Sequence, residues 1–113
     1  MLPSVAPNMD TIACRRITSE ILPAVRASIA EVMHKKYSYS ESDIAQSLGI
    51  VQVAVSKYLN SNYSSKTKRV KDYIIKNRLN EDILSSIVNR KSAEDTNAMI
   101  YELCMNLAAR LNF

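Results

Sequence analysis

One glycine, Gly49, occurs in the 113 residues of this chain, and it constrains the backbone more than any other residue. Glycine enters left-handed conformations without a Cβ clash, so it suits tight corners between helices. With one glycine and three prolines, the chain has little turn chemistry of any kind. The Asn-Gly and Asp-Gly pairs that make β-hairpins are missing, as is regular strand alternation. The expectation is an all-α protein. A chain that avoids glycine elsewhere is expected to keep it only where a side chain is not tolerated.

The length fits one domain with a modest core. Apolar spacing predicts a first long helix from Ser19, read as its N-cap, to Lys36, with Pro23 in its first turn. Leu22, Val25, Ile29, Val32 and Met33 form its buried stripe. Ser40 and Asp43 resemble a capping box, followed by inward Ile44, Ala45 and Leu48. A third helix covers about Gln52 to Asn60, with Val55, Tyr58 and Leu59 inward. Val51 stands where a capping Ser or Thr is expected, which weakens that start by about 1 kcal/mol. The fourth helix is expected over Lys66 to Lys76, burying Val70, Tyr73 and Ile74. The fifth runs over Glu81 to Asn89, capped by Asn80 and burying Ile83, Leu84, Ile87 and Val88.

A last helix, capped by Ser92, runs to about Leu111. Its polar residues Glu102, Asn106 and Arg110 recur every fourth position, and most of the remaining circumference is apolar. Such a helix needs cover on more than one side. The expectation is that it packs on its own core and on a second copy, with Ile100, Leu103, Leu107 and Leu111 in the dimer interface. The monomeric alternative is a central helix in a compact bundle. The resulting organisation is a flexible tail over 1–11, a domain over 12–78 and a helical dimerisation segment over 79–113.

Charge is uneven. From Lys57 to Arg78 there are seven basic residues and one acid, Asp72, a net of +6. The other 8 basic and 10 acidic residues leave −2, so the formal +4 is a basic region on a slightly acidic body. Such a patch attracts polyanions, although a charge run also serves as an ordinary solvated face. The basic run begins inside the third helix. No apolar run is long enough to span a membrane. Cys14 and Cys104 lie far apart and read as buried or half-buried thiols, and His34 as a solvated helix end.

The second and third helices carry the spacing of a helix-turn-helix. Ala45 is small where the helices cross, Gly49 makes the corner four positions on, and Val55 locks the following helix six positions later. With Leu22-Pro23-Ala24-Val25-Arg26-Ala27-Ser28-Ile29-Ala30, Tyr37 and Ala54-Val55-Ser56-Lys57-Tyr58-Leu59, the stretch resembles small archaeal predicted transcriptional regulators with a lambda-repressor-like (Xre-like) helix-turn-helix. The resemblance covers roughly Cys14 to Tyr63. Some members carry a paired-cysteine motif near the C-terminal end, where this chain has Cys104 alone.

The resemblance implies a sequence-specific regulator, cytoplasmic and nucleoid-associated, whose recognition helix enters the major groove of double-stranded DNA. On that reading Gln52, Val53, Ser56 and Lys57 meet base edges, with Gln52 suited to adenine and Val53 to a thymine methyl. Asn60, Lys66, Lys68 and Arg69 hold phosphates, helped by Ser40 and Ser42. A homodimer presents two such helices about 34 Å apart to a roughly palindromic operator. Gln52 as a helix cap, Val53 as an interface residue and Lys57 as a solvated lysine are the bland alternatives. A protein-interaction module and a low-specificity architectural DNA-binding protein are the other readings. An enzyme is not expected: no activated nucleophile, histidine pair or glycine-rich phosphate loop is present. No metal or cofactor is expected, and no pocket chemistry for an effector stands out.

Overall fold

Pro23 shapes the entry to the first long helix. The computed structural model describes residues 15–110, so the tail over 1–11, Cys14 and Leu111 lie outside the described residues. Helical backbone is present from Arg15 onward, and Ile17–Ile21 forms a wider π-type turn in which the Leu22 N–H donates to the Ile17 carbonyl. Proline lacks an N–H and its ring crowds the carbonyl four residues back. The wider turn immediately before Pro23 accommodates both defects, as π-bulges do. Ser19 is therefore not an N-cap; its hydroxyl donates to the Arg15 carbonyl at 2.6 Å.

Six α-helices follow among the described residues: α1 (Leu22–Tyr37), α2 (Glu41–Leu48), α3 (Gln52–Leu59), α4 (Ser65–Lys76), α5 (Glu81–Val88) and α6 (Ala93–Arg110). No strand occurs among them. No helix of the described residues is long and apolar enough to cross a membrane. Helix α1 lies at the centre, against the π-turn and all five other α-helices. Ile21, Val25, Ile29 and Met33 meet Ile44, Leu48, Val55, Val70, Ile74, Ile100 and Leu107 in one buried cluster. That cluster draws on both sides of position 78, so the expected C-terminal segment is part of the same core.

The capping box forms as expected: Asp43 N–H donates to Ser40 Oγ at 3.0 Å, and Ser40 N–H to Asp43 Oδ2 at 3.4 Å. Ser92 Oγ accepts from the Asp95 N–H, also at 3.0 Å. Asn80 does not cap α5. Its side chain is buried, and Nδ2 donates to Ser28 Oγ at 3.1 Å, fastening α5 to α1. Tyr73 and Val88 were expected inward but are 40% and 42% exposed. Each sits one residue from the buried face, whose phase is set by Val70 and Ile74 in α4 and by Ile83 and Ile87 in α5. One residue is about 100° of helix rotation, enough to carry a side chain out of the core.

Gly49 is left-handed, at φ 67° and ψ 35°, and the Ile50 N–H reaches back to the Ala45 carbonyl at 3.0 Å. Ser38, Ser61, Arg78 and Arg90 also have positive φ, however, so left-handed corners do not require glycine in this chain. A Cβ on Gly49 would lie 3.4 Å from the Ala93 Cβ, ordinary contact, so the exclusion inferred from sequence is not steric at that atom. What distinguishes this corner is α6. The Asn97 amide donates to the Leu48 carbonyl at 2.8 Å and clamps the end of α2. Gly49→Ala is expected to lower stability by about 1 kcal/mol through its backbone, and Gly49→Val by more, with branched methyls near Ala93. Urea midpoints of the two variants, taken with m held constant, check this.

Candidate nucleic-acid interface

Helix α3 is fixed to the core through Val55, which is fully buried, with Tyr58 and Leu59 half-buried beside it. That attachment turns Gln52, Val53 and Lys57 outward, all exposed, and leaves Ser56 half-buried. Val51 and Val53 are 70% and 67% exposed, an unusual position for two branched apolar residues. Val51 supplies no capping side chain, as the sequence suggests. The start of α3 thus has no side-chain acceptor for its first N–H groups, of which Ala54 donates to the Val51 carbonyl at 3.1 Å, and α3 carries no acid.

Asn60 Nδ2 donates to Ser56 Oγ at 3.3 Å, so these two residues form one polar step along the helix. Ser40 and Ser42 are exposed at the start of α2. The Ser40 oxygen accepts within the capping box, and its hydroxyl proton is still available to donate.

The basic segment is partly spent on internal pairs. Lys66 Nζ lies 3.8 Å from Glu20, Lys68 Nζ 2.9 Å from Asp72, and Lys71 Nζ 2.8 Å from Glu31. Glu20 and Glu31 lie outside the segment, so their two charges reduce its local +6 to +4. The Lys66 and Lys68 pairs keep their lysines more than half exposed, and such pairs open at little cost. Lys71 differs: its side chain is 8% exposed and lies in the interface of α4 with α1. Burial opposes its charge, but the hydrogen bond to Glu31 and the negative charge of that carboxylate, with a smaller contribution from the neighbouring Tyr63, outweigh that, so its pKa lies above the ordinary lysine value. Lys68 holds the Asp72 carboxyl below the usual range, against a smaller opposing effect of burial. Arg69, Lys76 and Arg78 are exposed along the rest of the segment.

Cys104 is a free buried thiol whose pKa is pushed up to about 11 by burial, only partly offset by the charge of Arg26. A thiol this reluctant to ionise is a packing residue. His34 is more than a solvated end: Nδ1 lies 2.9 Å from the Tyr39 carbonyl, which can only accept, so the ring donates and closes the corner after α1.

The expected interface residues of the last helix are distributed otherwise. Ile100 and Leu107 are 0% and 1% exposed within the chain's own core, and Leu103 is half-buried. Ile100 and Leu107 are thereby committed inside one chain, while Leu103 keeps part of its surface free. The apolar residues that α6 turns outward are Tyr101 and Met105, one turn apart and about half exposed, flanked by Ala98 and Ala109. Comparison with family models, curated proteins and solved structures returned no match for this chain.

Proposed function

We propose that the chain is a sequence-specific DNA-binding transcriptional regulator of the lambda-repressor-like helix-turn-helix type. In this reading α2 and α3 are the motif, and α3 is the recognition helix. The observation that carries it is the presentation of α3: Val55 anchors one side while Gln52, Val53 and Lys57 project from the other, beside the basic α4. Gln52 and Lys57 supply donors for base edges, and Val53 an apolar contact for a thymine methyl. Arg69, with Lys66 and Lys68 once their surface pairs open, supplies phosphate contacts. The homodimer of this reading joins through Tyr101 and Met105, with Ile100 and Leu107 left to the core.

Selection of bound sequences from random duplex DNA tests the reading directly. Recovery of a palindromic consensus supports it, and no enrichment sinks it. Gln52→Ala with Lys57→Ala is expected to flatten the selected preference and to cost roughly 1–3 kcal/mol per lost bidentate contact. An unchanged preference would remove both residues from the readout. Tight binding without preference would favour the architectural alternative.

A second reading, a protein-interaction module, is favoured by one feature. A groove of about 460 Å³ beside α3 is lined by Val51, Val53, Pro23, Ala54 and Tyr58. Exposed valines at the mouth of an apolar groove suit a partner's apolar side chain. Capture of a defined protein together with indifference to DNA would decide for it.

A further inference from the structure

A second cleft, of about 680 Å³, lies between α2 and the turn that joins α5 to α6. Tyr39, Gln46 and Ser47 line it from the α2 side, and Arg90 and Lys91 from the turn. These five side chains all carry hydrogen-bond donors, and two of them are cations. Among the described residues the only acid in its walls is Asp43, which keeps its charge while accepting from the Ser40 N–H at 3.4 Å, so with Arg90 and Lys91 the walls carry a net +1. A wall of donors and cations suits the oxygens of an anion, and an arginine fork suits a phosphate in particular.

Arg90 occupies its place at a cost. It sits at φ 60°, closing α5 through hydrogen bonds of 3.0 Å from the Arg90 N–H to Ile87 and from the Lys91 N–H to Ser86. A left-handed residue with a Cβ costs roughly 1–2 kcal/mol, which glycine would avoid. Arginine there brings a charge to the cleft that glycine cannot.

We infer that this cleft grips a backbone phosphate of the same duplex that α3 reads. The inference rests on the DNA-binding reading above. In helix-turn-helix complexes the first helix of the motif crosses the phosphate backbone while the second enters the groove. Here α2 is that first helix, and Arg90 and Lys91 are held alongside it from more than forty positions further along the chain. Neither residue belongs to the basic segment, so sequence spacing gives no reason to join them to the motif. Arg90 takes the phosphate oxygens as a fork, Lys91 adds a point charge, and Gln46, Ser47 and Tyr39 complete the donor set.

The test compares the intact chain with the double variant Arg90→Gly/Lys91→Ala. Glycine preserves the left-handed corner, so the melting temperature is expected to hold or rise while the charge is lost. Fluorescence anisotropy with a selected duplex, followed across salt concentration, reads the rest. Loss of two phosphate contacts should reduce the slope of log affinity against log salt by about 1.8. Affinity at low salt should fall roughly tenfold, and by the same factor on unrelated sequences. An unchanged slope, with Arg69→Ala lowering it, overturns the cleft and leaves the DNA reading standing. Failure of the intact chain to bind any duplex overturns that reading, and an NMR titration with inorganic phosphate then judges the cleft alone. Shifts at Gln46 and Lys91 that vanish in the variant would replace the duplex with a free phosphorylated ligand. No shifts would overturn the site altogether.

Discussion

Ile100→Ala is expected to lower the unfolding free energy by about 3 kcal/mol while leaving the chain's mass in solution unchanged. The side chain is fully buried on α6, within the cluster that also holds Leu107 of the same helix and Ile29 of α1. Truncation removes its transfer free energy and leaves a cavity that the helix backbones cannot collapse around. Nothing in that cost depends on a second copy. Met105→Ala is the control: a side chain 51% exposed forfeits much less burial within one chain, so its stability change should stay small. If α6 pairs two copies, Met105→Glu and not Ile100→Ala should shift the dimer to monomer. Urea denaturation, read with sedimentation equilibrium, separates the two effects. A reduced mass for Ile100→Ala at unchanged stability would put the buried face back at the interface.

The contrast between these residues shows what spacing can and cannot convey. Alternation at three and four residues identifies which apolar side chains share a face, and it correctly grouped Ile44, Ala45 and Leu48, and Val25, Ile29 and Met33. On α6 nearly the whole circumference is apolar, so periodicity supplied no phase. Burial of Thr96, Ile100, Cys104 and Leu107 was decided by where α1 and α2 stand. The Ser40–Asp43 box and the left-handed Gly49 were legible because their chemistry is local. The corners at Ser61, Arg78 and Arg90 were not, since left-handed serine and arginine have no compositional signature and are imposed by the helices they join. The same limit applies to the candidate site. Gln52, Val53 and Lys57 follow from a neighbouring motif, whereas the cleft of Arg90 and Lys91 arises only when α6 packs on α2 and brings the turn before it alongside. Lys71 is the sharpest case. The run of basic residues presents it as surface charge, but its partner Glu31 lies 40 positions earlier, a separation no helical period can reveal.

Lys71→Met should therefore behave as a core substitution, costing about 2 kcal/mol, and not as the loss of one more surface cation. Methionine matches the lysine stem closely, so the loss comes from the 2.8 Å pair with Glu31, whose carboxylate is left against α4 without its counter-charge. Glu31 is 30% exposed and water relieves part of that penalty, which keeps the cost below that of a fully buried pair. Adding Glu31→Leu removes the stranded charge, and the double variant should be at least about 1 kcal/mol more stable than the sum of the single changes implies. Additive effects would show that the two side chains do not interact. The pH dependence supplies an independent check. The Lys71 pKa in the folded chain lies above its unfolded value, so the charged form is favoured by folding. Its contribution is complete below the unfolded lysine value of about 10.4 and declines as pH rises beyond that towards the folded pKa. The stability gap between the intact chain and Lys71→Met should stay constant from neutral pH to about pH 10 and narrow above it. DNA binding near neutral pH should change little in Lys71→Met once folding is corrected for, because this lysine, unlike Lys57 or Arg69, does not face solvent.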